Sequence, residues 1–108
     1  MRPLDQLEQT IAARQAAGDA DQSYTARLLA GGVAKIGGKV TEEAAEVVDA
    51  AAEAGAEGRE HTVREAADLV YHLLVLLRAC EIPLADVESE LARRFAMSGL
   101  TEKARRTD

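Results

Sequence analysis

Tryptophan is absent from this chain, and its aromatic side chains are confined to Tyr24, Tyr71 and Phe95. Strands of sandwiches and barrels draw on aromatic and β-branched residues, so the scarcity argues against both architectures. The apolar set is mostly Ala, Leu and Val, which suits closely approaching helices and predicts an all-α fold. A basic excess is missing too: 13 Lys and Arg stand against 19 Asp and Glu, a formal net charge of -6. Nucleic-acid phosphates are gripped by clustered bases, so no nucleic-acid partner is expected; a cation, or an anion bridged by one, fits better. The lone cysteine, Cys80, excludes an internal disulfide, and its apolar surroundings predict a buried thiol in a reducing compartment. No apolar run is long enough to cross a membrane, and MRPLDQLEQT lacks the apolar stretch of a signal peptide. The expectation is a soluble, cytoplasmic protein without a membrane partner. At 108 residues, a single domain over 1–108 is expected.

Periodicity then lays out the helices. Leu4, Leu7 and Ile11 recur at helical spacing and predict a first helix over 4–17, closed by Gly18. Ser23 caps a short second helix, and Gly31 and Gly32 break it from a longer one over 33–53. Val33, Ile36, Val40, Ala44, Val47 and Ala51 form the inward face expected of that longer helix. Gly37 and Gly38 lie inside it, each less favourable than Ala by about 1 kcal/mol, which predicts a kink or a close backbone approach there. Gly55 and Gly58 punctuate a turn before a helix over 59–81, whose stretch LVYHLLVLL is apolar on almost every side. A monomer of this size can hardly wrap such a helix, so part of its surface is expected to meet a second subunit. Pro83 opens a last helix with Leu84, Val87 and Leu91 inward, and the tail MSGLTEKARRTD is mixed and charged. The expected architecture is an antiparallel helical bundle of four to five helices whose core is completed by dimerisation.

Two acidic stretches stand on either side of the glycine turn. EEAAE carries Glu42, Glu43 and Glu46 along one helix stripe, and EAAD repeats the i, i+3 spacing with Glu65 and Asp68. Positions 46 and 65, and positions 43 and 68, share one midpoint, which falls between Gly55 and Ala56. If the chain reverses there, Glu46 comes level with Glu65 and Glu43 with Asp68, with alanines between to let the helices approach. Two unit charges about 4 Å apart repel by roughly 4 kcal/mol at an effective dielectric of about 20. Such a seam calls for a cation, and all-oxygen ligands favour a hard one, Mg²⁺ or alternatively Mn²⁺.

A plainer reading stands beside this one. Lys39 with Glu43, and Arg64 with Asp68, are spaced i, i+4, and these pairs would make both stretches ordinary solvated helix faces. His72 lies seven positions past Glu65, nearly on the same face, where it either meets a ligand phosphate or serves as a hydrogen-bonded core residue. Lys35 and Lys39 approach the stripe from the preceding turns, for a metal-bound polyphosphate or for simple ion pairs. No phosphate-cradling loop and no nucleophilic triad pattern stands out.

EEAAE followed by EAAD resembles the EExxE and ExxD signature of the all-α NTP pyrophosphatase superfamily, whose Mg²⁺-dependent members split nucleotide phosphoanhydrides. More narrowly, SYTARLLAGG, KVTEEAAEVV, EAADLVYHLLVLL and RRFAMSGLTEKARR resemble the phosphoribosyl-ATP pyrophosphatase family, which acts at the second step of histidine biosynthesis. The resemblance runs from Leu4 to Arg106. It implies that Glu43, Glu46, Glu65 and Asp68 are metal ligands, that Glu42 is a further acid of the site, and that Lys39 lies near the substrate phosphates. It implies hydrolysis of phosphoribosyl-ATP to phosphoribosyl-AMP and pyrophosphate, and a homodimer; the mirrored register, which sets Glu46 level with Glu65, makes Glu46 the first choice of catalytic base and Glu43 the second. Where QKVGEE is expected, this chain has Gly38 and Thr41, which leaves the acids intact but alters their surroundings. Two other readings remain at this level: hydrolysis of free nucleoside triphosphates by the same acids, and a non-enzymatic acidic helical interaction module.

Overall fold

The computed structural model describes residues 1–96. They form four helices and no strand: α1 (Pro3–Ala17), α2 (Tyr24–Ala51), α3 (Gly55–Ala79) and α4 (Leu84–Phe95). Beyond Ala96, the charged tail and the end of the RRFAMSGLTEKARR match lie outside the described residues.

Local chemistry sets each boundary. Pro3 occupies the first turn of α1, where its missing N–H is harmless, and Gly18 ends the helix at φ 63, its N–H bonded to the Arg14 carbonyl. The Ser23 hydroxyl accepts from the Ala26 N–H and caps α2. The break expected at Gly31 and Gly32 is a kink inside α2, with Gly32 at φ 83 and ψ -179, a conformation open essentially to glycine alone. Gly37 and Gly38, by contrast, neither kink the helix nor receive a close approach, since a Cβ on either would meet nothing within 4 Å. The α3 helix starts a turn earlier than expected, at Gly55 with φ 77. Gly58 lies inside it rather than in the turn, because the Glu53 backbone comes so near that a Cβ would sit 2.5 Å from its carbonyl oxygen.

The α2–α3 hairpin dominates the packing, and α1 lies against both of its arms. Three rungs establish that α3 runs back along α2: Tyr24 and Thr25 bond to His72 and Tyr71, Glu43 and Glu46 face Glu65, and Glu53 bonds to His61. Ile11, Leu28, Ile36, Leu74, Val75 and Leu84 close the core, each large buried side chain contributing roughly 1.5–3 kcal/mol. The inward face of α2 largely follows the expected one, with its ends displaced. Ile36, Glu43 and Ala50 are buried at seven-residue spacing, whereas Val33 and Ala51 are exposed and Val40, Ala44 and Val47 are half-buried.

The last helix hangs from the others by its first turn. The Glu8 carboxylate accepts from the Leu84 N–H at 2.7 Å, supplying from α1 a negative charge at the N-terminus of α4. Arg2 adds an ion pair to Glu88 at 2.8 Å. Leu84 is buried as expected, but Leu91 is exposed, because nothing among the described residues covers the far half of α4. Cys80 is exposed rather than buried, since it caps α3 where the chain turns through Glu81 at φ 59. No helix among the described residues is long and apolar enough to cross a membrane.

Candidate functional site

The acidic stretches meet where α3 passes α2. One carboxylate oxygen each from Glu43, Glu46 and Glu65 lies within 4.8 Å of the other two. Glu43 is only 9% exposed, Glu65 is half-buried and Glu46 faces solvent, so the group is walled on one side and open on the other. The Oε2 atoms of Glu43 and Glu65 are buried without a hydrogen-bond partner. Burial above all, then the adjoining Glu46 carboxylate, then the charges of Asp68 and Glu65, push the Glu43 carboxyl up to about 7.

The other expected site residues are placed around this group rather than in it. Asp68 is exposed and near enough to act on Glu43 electrostatically, but it is not part of the tight set. Glu42 points outward to Lys39, Nζ to Oε2 3.8 Å. The aliphatic stem of Lys35 lies over Gly31, beside the kink, and no ion pair joins it to the carboxylates among the described residues. His72 is buried, its Nδ1 donating to the Asp68 carbonyl at 2.8 Å and its Nε2 accepting from the Tyr24 hydroxyl at 3.1 Å. Both of its nitrogens are thus satisfied within the chain, while Nδ1 stays 4.0 Å from Glu43 Oε1. Thr41, one of the two departures, turns its hydroxyl back onto the Gly37 carbonyl of its own helix.

The pairs that would have neutralised the acidic stretches are not made: no ion pair joins Lys39 to Glu43 or Arg64 to Asp68 among the described residues. One basic group does reach the cluster, and sequence reasoning overlooked it. His61 stands one turn before Glu65, with Nε2 3.2 Å from Glu65 Oε1 and Nδ1 3.0 Å from Glu53 Oε2. Glu53 first, then Glu65, raise its pKa above the ordinary histidine value. Its i, i+4 spacing to Glu65 was a usable signal; the partnership with Glu53 depends on the turn and was not.

A cavity of about 410 Å³ between α1, the end of α3 and the start of α4 is lined by Ile11, Leu74, Arg78 and Leu84 among others, and shares no residue with the carboxylate group. An all-oxygen donor set with two buried, orphaned oxygens fits a hard divalent cation.

Fold and site together give an all-α architecture that gathers three carboxylates from facing helices into one group. Residues 4–95 match the family described as phosphoribosyl-ATP pyrophosphohydrolase, and the chain belongs to that family. It is similar to the phosphoribosyl-ATP pyrophosphatase of Rhizorhabdus wittichii, 54% identical over 103 residues, 95% of this chain and 93% of the relative. The enzyme of that name from Erythrobacter litoralis is 53% identical over 108 residues, the full length of both. That of Rhodopirellula baltica is 48% identical over 104 residues, 96% of this chain and 86% of the relative.

Proposed function

We propose that this chain hydrolyses phosphoribosyl-ATP to phosphoribosyl-AMP and pyrophosphate, the second step of histidine biosynthesis, with a divalent cation at the hairpin seam. The observation that carries the site is the convergence of Glu43, Glu46 and Glu65 with two buried, unpartnered oxygens. Family membership supplies the substrate, and the name that the relatives carry agrees with it.

Glu43, Glu46 and Glu65 would hold Mg²⁺, or Mn²⁺ in its place, with Asp68 and Glu42 as the outer acids. Bound there, the ion supplies charge neutralisation of the polyphosphate and polarisation of the scissile phosphoryl group. Glu46 is the member of the triad that faces solvent, and its carboxylate accepts the proton of the attacking water. The water oxygen bonds to the α-phosphorus as the bond to the α,β-bridging oxygen breaks, and pyrophosphate leaves. Glu43, more buried, is the second candidate for that proton. Lys39, paired with the outer acid Glu42, can leave it for a substrate phosphate; Lys35 would reach the substrate only by turning from Gly31, and His72 only by giving up its bond to Tyr24. A biosynthetic hydrolysis of a free nucleotide is work for the cytoplasm.

The unit at work is a homodimer on this reading. Val70 and Leu73 on α3 remain 36% and 41% exposed, and Leu91 and Phe95 on α4 45% and 84%. These apolar side chains support burial against a second copy.

Purified protein assayed with phosphoribosyl-ATP, dUTP and dCTP in the presence of Mg²⁺ tests the assignment. Pyrophosphate release from phosphoribosyl-ATP is expected to dominate. Fast turnover of the deoxynucleotides with none of phosphoribosyl-ATP, or failure of a well-folded chain to restore growth to a histidine auxotroph lacking this step, would refute it.

A further inference from the structure

We infer that His61 is a positioning residue for Glu65, holding one carboxylate oxygen so that the other is presented to the seam. Glu65 Oε1 is engaged by His61 Nε2 at 3.2 Å, while Glu65 Oε2 is buried and unpartnered. With one oxygen fixed and the Cα set by α3, the rotation that would swing the carboxylate outward is blocked. The imidazole is itself anchored. Its Nδ1 lies 3.1 and 3.0 Å from the two oxygens of Glu53, which stands just beyond the end of α2. A strut thus runs from the hairpin turn through His61 to the carboxylate, and it ties the arm carrying Glu43 and Glu46 to the arm carrying Glu65. The turn is built for it: Gly58 admits the Glu53 backbone into the first turn of α3, which brings the Glu53 side chain within reach of His61. His61 touches neither Glu43 nor Glu46 among the interactions formed, so its effect on the site passes through Glu65 alone.

The inference rests on the reading that the triad holds a divalent cation. Carboxylate ligands fixed by an outer partner typically lose about 10–100-fold in metal affinity when that partner is removed. Mn²⁺ titration calorimetry on the purified full chain at one fixed pH, with wild type, His61→Leu and His61→Gln, provides the test. Wild type is expected to bind Mn²⁺ and His61→Leu to bind it about tenfold or more weakly. His61→Gln keeps an N–H donor at i, i+4 to Glu65 and should recover most of that affinity, although it abandons Glu53. Melting of the metal-free proteins separates positioning from folding, since a strut that merely braces the turn would lower the melting temperature of both variants and leave Mn²⁺ affinity unchanged. Equal Mn²⁺ affinity in wild type and His61→Leu overturns the role of His61 while leaving the cation site standing. No Mn²⁺ binding by wild type overturns the cation site and the role of His61 with it.

Discussion

Glu43 on α2 and Glu65 on α3 face each other across the hairpin seam, carboxylate oxygens within 4.8 Å, each with a buried Oε2 that nothing satisfies. Without a cation this contact works against folding, because two acceptors that want charge or donors find neither. Glu43→Gln replaces one of them by an amide whose N–H groups can donate to the neighbouring carboxylates. The metal-free variant is therefore expected to melt higher than wild type, while pyrophosphate release falls by roughly 10²-fold or more. Thermal melts without metal, paired with initial rates at saturating Mg²⁺, check both directions. A variant that melted lower and kept its activity would remove Glu43 from the site.

The same burial makes the metal-free protein sensitive to pH. The Glu43 carboxyl is raised from 4.5 to about 7 in the folded chain. Below the unfolded value it is neutral in both states and carries no penalty. Between the two values the unfolded chain ionises while the folded one keeps its proton, so stability is lost as pH rises through about 7. Metal-free protein should melt higher at about pH 5.5 than at about pH 8, each kcal/mol of difference moving the midpoint by roughly 4–8 °C. Millimolar Mg²⁺ should stabilise more at the higher pH, where the carboxylates it needs are ionised. Scanning fluorimetry at both pH values, with and without Mg²⁺, reads the crossing; parallel behaviour of the two series would contradict it.

The hairpin itself was legible before any coordinates, because its information is arithmetic. Two acidic pairs with one midpoint at a glycine turn can meet only if the chain doubles back, and Glu43 and Glu46 do meet Glu65 there. The exact register was not legible: Glu65 lies against both Glu43 and Glu46, and Asp68 stands aside, while at the turn the Glu53 backbone packs tightly on Gly58, a contact that spacing alone does not give. Composition alone could not tell which glycines bend the chain. Gly32 and Gly38 look alike in sequence, yet only Gly32 takes a positive φ. Cys80 and Leu91 are exposed against expectation for one reason: an apolar neighbourhood in sequence need not be covered in space at a helix end or along a helix that only its first turn ties to the others.

That contrast between glycines is measurable. Gly32→Ala places a side chain at φ 83 and ψ -179 and is expected to destabilise by about 1–3 kcal/mol. Gly58→Ala forces a Cβ toward the Glu53 carbonyl oxygen at 2.5 Å, where backbone must move, and should lose at least as much. Gly37→Ala and Gly38→Ala meet nothing within 4 Å and gain helix propensity, so each should stabilise by about 0.4–1 kcal/mol. Urea unfolding of the four variants gives opposite signs for the two groups. Destabilisation by Gly38→Ala would mean that the helix around Thr41 is held in a conformation that only glycine permits.

The apolar stripe of α4 supplies the last prediction. Leu84, Val87, Leu91 and Phe95 project from one face of the helix, yet only Leu84 is buried, and Phe95 is 84% exposed. A substitution at so exposed a position changes the stability of an isolated chain by no more than about 0.5 kcal/mol. Phe95→Glu is thus silent if the chain acts alone and disruptive if the stripe is buried against a second copy, where an unpaired carboxylate would be desolvated. Light scattering after size exclusion is expected to give twice the chain mass for wild type and a shift toward the single mass for Phe95→Glu, with a melting temperature that depends on protein concentration only for wild type. An unchanged mass for the variant would show that the dimer uses another face, and the exposed Val70 and Leu73 of α3 would then be the surface to substitute.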